Sequence, residues 1–399
     1  MAQKDAPAPM QGDARTRVLA GAWGFVRGFD APVLLATLAL LAYGLVVVYS
    51  ASLTNTDASL PRQAGGVVMG LVVMGAARQF DYRHLAAFSA ALFVADCLLM
   101  VAPLVPFLSY HANGITGWVQ VPGTSLTFQT SELAKPVTVA LMAGLCSQHN
   151  GRIDRLEDYV RLCATLAVPF ALILLQPDLG TGLVVLVAGA AVIVTAGPRR
   201  SWVLATIGAL AGLVALVLAG NAVVGAATGG SVSIIPQYQL NRLLVFLDPA
   251  HDTSSAGYNL QQALIAVGSG GAFGKGLGNA TQSAAGFLPE SHTDFAFALL
   301  AEQFGFVGSV ALIALYGVLL VGSLRVALRE GALFGKLLVC GLVAMWAFQI
   351  FENIGMCLSL MPITGIPLPF ISYGSSSTIA QLLCVGLVHS VAAHPSRPA

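Results

Sequence analysis

The chain has 399 residues, of which 56% are hydrophobic and only 9% charged, far below the roughly 25% charged content of soluble domains. That balance excludes a water-soluble globule, which would expose large apolar patches and aggregate, and it calls for lipid as solvent. A net charge of +1 without a clustered basic face excludes a nucleic-acid partner.

In chain order, residues 1–30 are polar or mixed and read as a tail without a cleavable signal. Within them Arg15, Arg17 and Arg27 interleave with Val18, Leu19, Trp23, Phe25 and Val26, which predicts a short interfacial helix over 15–29. Apolar runs long enough for the roughly 30 Å hydrocarbon layer follow near 31–53, 63–80, 85–107, 132–147, 162–176, 179–197, 202–226, 294–324, 337–358 and 374–393. The expectation is an all-α integral membrane protein: one polytopic domain, 31–393, of about ten transmembrane helices, then a short tail, 394–399. Two short runs flank Gln176-Pro-Asp-Leu-Gly180 and could instead form a re-entrant hairpin; they are kept as two spans. The one long connection, 227–293, is rich in Gly, Ser, Asn and Gln, and its stretch Tyr258–Val267 has helical periodicity suited to the membrane surface. Six cysteines, Cys97, Cys146, Cys163, Cys340, Cys357 and Cys384, lie in or beside apolar runs without metal or disulfide spacing and read as filler.

Lysine and arginine mark the cytoplasmic side. With the N-terminus inside, fifteen of the nineteen basic residues fall there: Lys4, Arg15, Arg17, Arg27, Arg78, Arg83, Arg152, Arg155, Arg161, Arg199, Arg200, Arg325, Arg329, Lys336 and Arg397. Both termini are then cytoplasmic and the 227–293 loop extracytoplasmic. Arg62, Lys135, Arg242 and Lys275 remain on the outer side, without an orienting job.

Ionisable groups at membrane depth are costly unless paired or hydrated, so each is a candidate for function. Glu132 and Lys135 stand three apart at a helix start, placed for an ion pair that is as readily a structural clamp as a catalytic element. Asp178 lies in a Pro/Gly turn, equally readable as a helix cap. Asp294, in Phe287-Leu-Pro-Glu-Ser-His-Thr-Asp-Phe295, precedes a long apolar helix; Ser291 to Asp294 has capping-box spacing, but Glu290, His292 and Asp294 crowd five residues of an otherwise uncharged surface. Glu352 and Asn353 lie inside a helix beside the segment 361–377, whose three prolines forbid regular helix and free backbone groups to face water, protein or ligand. The run Gly268-Ser-Gly-Gly-Ala-Phe-Gly-Lys-Gly276 fails the nucleotide-loop pattern, having no Gly five residues before Gly274 and no Ser or Thr after Lys275; a flexible anion-cradling loop carrying Lys275 is the better reading.

Tyr49-Ser-Ala-Ser52, Gln176-Pro-Asp-Leu-Gly-Thr181, Phe287–Phe295, Gly305-Phe-Val-Gly308 and Thr364-Gly-Ile-Pro-Leu-Pro-Phe-Ile-Ser-Tyr-Gly374, in this order across residues 32–392, resemble the SEDS family (shape, elongation, division, sporulation). Thr281-Gln-Ser283 ahead of Phe287 resembles the elongation member RodA more than the division member FtsW. The resemblance implies a peptidoglycan glycosyltransferase that polymerises lipid II on the outer face of the bacterial cytoplasmic membrane beside a class B penicillin-binding protein. It puts the essential aspartate on Asp294, the tryptophan on Trp118, the acid–lysine pair on Glu132 and Lys135 and the loop aspartate on Asp178. His292 and Ser372, within the quoted segments, are further substrate-binding candidates. The chain departs from the family at Gly117, where an arginine is usual, at Thr130, where proline is, and at Ser375, where a second glycine is.

An α-linked pyrophosphate sugar giving a β-1,4 glycan asks for one inverting displacement: a base at the acceptor 4-hydroxyl and cations or a metal at the departing pyrophosphate. Asp294 is the candidate base, with Arg242, Lys275 and Lys135 for the pyrophosphate, and a divalent cation, magnesium or manganese, is the cofactor the reaction admits. A lipid II transporter, the rival from another class, requires charges spread through the membrane depth and on both faces of a path, whereas here the acids and lone bases cluster on one face, with Asp96 the main exception; a scaffold for a penicillin-binding protein is the third reading.

Overall fold

The computed structural model describes residues 29–106, 108–112, 115–120, 127–229, 232–233, 235–247 and 256–396. The interfacial helix expected over 15–29 lies almost wholly outside them, as does Arg397.

Every apolar run singled out above is helical: α1 Ala31–Ser52, α2 Leu60–Gln79, α3 Arg83–Ala87 with α4 Ser89–Val101, α5 Thr130–Ser147, α6 Leu156–Leu174, α7 Leu179–Thr195, α8 Arg200–Ala227, α12 Ala296–Arg329, α13 Leu333–Cys357 and α14 Ser375–Ala393. By length and composition six of these, α1, α2, α8, α12, α13 and α14, can each cross a membrane, and Ser89–Leu104 and α7 are shorter apolar helices. α5 and α6 carry internal prolines, Pro136 and Pro169, each of which lacks the N–H that would donate a helical hydrogen bond.

The chain is not wholly helical. Between α4 and α5 a small antiparallel sheet forms from β1 Ser109–Ala112, β2 Ile115–Gln120 and β3 Thr127–Gln129, with β2 in the middle. Aromatic and β-branched residues such as Tyr110, Ile115, Thr116, Trp118 and Val119 favour strand over helix in this connection. Trp118 pairs with both Tyr110 and Gln129, and β3 runs directly into α5. The long connection after α8 holds α9 Gln237–Leu247, α10 Ala256–Ser269 and α11 Thr281–Ala284; α10 covers the stretch whose periodicity predicted it.

Packing follows small residues. α2 and α14 run parallel and touch at Gly66, where a Cβ would meet the Ser375 side chain at 2.8 Å. Their upper ends are stitched by Gln63, which donates to Thr378 Oγ1 (3.0 Å) and accepts from Gly374 N (3.0 Å). α13 and α14 supply much of the buried core, including Trp346, Leu338, Leu382 and Val388. α8 stands apart: none of its twenty-eight residues is buried, and it is tied to α6 near its start by Tyr159, whose hydroxyl bonds Thr206 Oγ1 at 2.8 Å and whose ring lies against Trp202.

α12, thirty-four residues and about 50 Å of helix at 1.5 Å per residue, is broken at Gly305 (φ 65°, ψ −160°). The segment 296–303 before the break is buried on all sides. The glycine-rich loop fills the gap in its hydrogen-bond ladder: Lys275 N donates to Glu302 O, Gly276 N to Gln303 O, Phe306 N to Gly271 O and Val307 N to Ala272 O, at 2.9–3.0 Å. Only glycines allow this approach, since a Cβ on Gly274 would sit 2.0 Å from Gln303 O and one on Gly305 2.4 Å from Gly274 N. The run that reads as an anion cradle is therefore a backbone splint for a broken helix.

Candidate active site

α12 starts only at Ala296, with Phe295 as its cap residue, so the carbonyls of residues 292–294 lie outside its hydrogen-bond ladder and take partners elsewhere. They find them in the proline-rich segment. Tyr373 N donates to His292 O (2.8 Å) and Ser372 Oγ to Thr293 O (2.6 Å). The Asn353 amide donates to Asp294 O (2.8 Å) and also to Ile366 O (2.8 Å). Beside it Glu352 accepts from the Thr364 hydroxyl. Between Thr364 and Ile366, Gly365 is left-handed (φ +77°), and a Cβ there would stand 3.3 Å from Asp294 Oδ2. The strip 364–366 thus runs between the Asp294 carboxyl and the polar pair of α13, and glycine keeps the carboxyl uncrowded.

Asp294 is half-buried. Burial, and then the charge of Glu290, push its carboxyl up to about 6; Arg242 opposes that rise and Asp178 adds to it. Glu290 itself is held in left-handed backbone (φ 53°), with its carboxylate accepting from Thr293 Oγ1 at 2.7 Å. A carboxylate that exchanges its proton near neutrality, at the end of a bundle, is equipped to act as a base. Arg242, on α9, reaches the same strip, its Nη1 3.4 Å from Thr364 O. α7 also arrives there: a Cβ on Gly180 would be 2.7 Å from Thr364 O.

Of the two roles the sequence leaves open for Asp178, the structure shows the helix cap. Its Oδ1 accepts from Thr181 N (3.0 Å) and caps α7, and burial raises its proton affinity, which Lys135 lowers and Glu132 raises. Glu132 and Lys135 form a 2.7 Å ion pair, their side chains 1% and 2% exposed. Both act on Asp178, which in turn is one of the charges acting on Asp294 beside Glu290 and Arg242. His292 is buried, its Nδ1 3.2 Å from Asn55 Nδ2, and burial lowers its proton affinity against the opposing pull of Glu290 and Asp57.

Two expectations change. The capping box from Ser291 to Asp294 does not form: Ser291 Oγ bonds Ser283 Oγ (2.8 Å), and the helix begins two residues after Asp294. Lys275 is no spare cation, because its ammonium meets Glu302 Oε1 and Thr281 Oγ1, each at 2.6 Å. Glu302 is fully buried, and as an acid inside an apolar run it carried the signal that should have marked it. Trp118 is half-buried in β2, opposite Gln129, at the entrance to α5; among the described residues no hydrogen bond joins it to the Asp294 group.

Among the described residues no three His, Cys, Asp or Glu side chains gather as a metal-ligand set.

Residues 31–397 match the family model that describes FtsW, RodA and SpoVE as cell cycle proteins. The chain belongs to the SEDS family. Its relatives include the peptidoglycan glycosyltransferase MrdB of Escherichia coli strain K12, 35% identical over 365 residues that cover 92% of this chain and 94% of the relative. Stage V sporulation protein E of Bacillus subtilis is 34% identical over 371 residues, covering 91% and 96%. Among solved structures, a chain of a peptidoglycan synthase complex superposes with a TM-score of 0.72 at 33% identity, covering 91% and 97%. The rod shape determining protein RodA of Thermus thermophilus superposes at 0.65 and 31%, covering 91% and 96%. The SEDS match spans both irregular segments that meet at Asp294.

Proposed function

We propose that this chain is a peptidoglycan glycosyltransferase that polymerises lipid II into β-1,4 glycan on the outer face of the bacterial cytoplasmic membrane, with Asp294 as general base. The observation that carries the reading is the state of Asp294: a half-buried carboxyl, raised to about 6, facing an uncrowded glycine turn that also bonds Arg242. Deprotonated at neutral pH, it takes the proton of the acceptor 4-hydroxyl as that oxygen attacks C1 of the donor sugar; the C1–O bond to pyrophosphate breaks with inversion. Arg242 is the basic side chain we assign to the departing pyrophosphate, with the Glu132–Lys135 pair one step further along the same charge network. Lys275 is less suited, its charge being matched by Glu302. With Gly117 in place of the family's arginine, Arg242 carries more of this work. Trp118, Asp178, His292 and Ser372 are assigned to substrate binding, Ser372 through the backbone that presents Asp294.

The bias of basic residues toward one side supports both termini in the cytoplasm and ten spans. Thr281-Gln-Ser283 favours a RodA-like role in elongation and cell shape, with a class B penicillin-binding protein as partner. Purified chain and purified lipid II decide the activity. Wild type is expected to form glycan and Asp294→Asn to form none; an Asn variant polymerising near the wild-type rate refutes the base. Lipid II crossing vesicles without glycan would establish a transporter instead.

A further inference from the structure

Asn353 is an amide on a membrane-spanning helix, 0% exposed, in a setting where polar groups persist only when they satisfy something. Both donors of its amide are directed at main-chain carbonyls of two separate irregular segments, Asp294 O and Ile366 O, each at 2.8 Å. Neither carbonyl is supplied by its own helix: Asp294 precedes α12, and Ile366 is followed by Pro367. Those two carbonyls bracket the place where the Asp294 carboxyl stands over Gly365.

We propose that Asn353 is a positioning residue for the polymerisation reaction, a pin that fixes the peptide bearing Asp294 against the 364–366 strip and so holds the carboxyl at its working distance from the acceptor. The inference rests on the reading of Asp294 as the base. Asn353 touches neither Asp294's carboxyl nor, in this assignment, the substrate; it acts through the backbone. Glu352 does the companion task on the other side of the strip: it holds the Thr364 side chain while the Thr364 carbonyl holds Arg242. One helical turn of α13 therefore sets the spacing between the group that takes the proton and the group assigned to the leaving pyrophosphate. Misplacement of a reacting group by about 1 Å costs on the order of 100-fold in rate.

The test uses the full chain, purified, with lipid II as substrate, and compares wild type with Asn353→Leu, which keeps the volume and loses both donors, and Asn353→Gln, which keeps the amide on a longer arm. For Asn353→Leu, kcat is expected to fall at least tenfold with KM for lipid II within twofold. The acid limb of the pH–rate profile is expected to move, because the carboxyl shifts among Glu290, Arg242, Asp178 and Glu352, the charged and titratable groups that face it. Asn353→Gln is expected to recover part of kcat. Should Asn353→Leu not fold, Asn353→Ser, able to donate one bond, carries the same readings. A folded variant with unchanged kcat and acid limb overturns the proposal, and so does one in which kcat falls with KM raised and the limb unmoved. Asp294→Asn run in parallel separates the two readings: activity in that variant removes the base, whereas inactivity there beside wild-type behaviour of the Asn353 variants removes the pin alone.

Discussion

Asp294→Asn is expected to stabilise the protein at neutral pH while abolishing polymerisation. The folded protein raises the Asp294 carboxyl from 3.8 to about 6, two pKa units at about 1.4 kcal/mol each. Because the side chain is half-buried and partly screened by solvent, we take about 1–3 kcal/mol as the cost of ionising it in place. The sign follows from the raised value. The folded state binds the proton more tightly than the unfolded one, so this contribution is fully present below about pH 4 and is lost as pH rises through 6. Asparagine never ionises and loses nothing. Unfolding of wild type and variant, followed by denaturant titration in detergent micelles from pH 3 to 8, is expected to show near-equal stability only at the acid end, below about pH 3.5, and a difference already open by pH 4.5. The variant should gain steadily up to about pH 6.5 and level off above it. Parallel curves across the whole range would refute the argument that burial and Glu290 load this carboxyl.

Glu290→Gln removes a negative neighbour and is expected to move the acid limb of the polymerisation rate below pH 6, whereas Arg242→Gln moves it above; rates measured between pH 4.5 and 8 check both signs. Lys275→Met leaves the buried Glu302 without its counter-charge and is expected to cost about 3–5 kcal/mol, most of it restored in the double variant with Glu302→Gln, as a thermal-unfolding cycle would show. Gly274→Ala drives a Cβ to within 2.0 Å of Gln303 O from a left-handed backbone and is expected to cost more than about 1 kcal/mol; the measurement is faster limited proteolysis of the loop 268–278.

Much of the scaffold was legible because lipid imposes one rule, apolar length, on every span. The apolar runs near 31–53, 202–226 and 337–358 became α1, α8 and α13 almost residue for residue. The small sheet is not legible in the sequence because three to six residues of strand carry no signal comparable to a twenty-residue apolar run, and because β1 and β2 become strands only by pairing. At the site, Asp294 and Asp178 were visible as acids in the wrong solvent. What surrounds them was not: that Thr364 and Gly365 lie against Asp294 is a fact of contact across seventy residues, which no local pattern encodes. In the sequence Lys275 looks like an unmatched cation because its partner, Glu302, lies twenty-seven residues away inside an apolar run, and a glycine run looks the same whether it cradles a ligand or splints a helix.

α8 offers a practical consequence. A helix of mean hydropathy 2.4 with no buried position makes few demands on the identity of its side chains. Ile207, Leu210 and Leu213 all face outward, so a single cysteine at any of them can carry a spin label or fluorophore without disturbing the core. Three of the six native thiols, Cys146, Cys357 and Cys384, are buried away from the reagent. Labels on this helix, paired with one near the start of α14, would turn it into a ruler for distances across the bundle while the enzyme turns over.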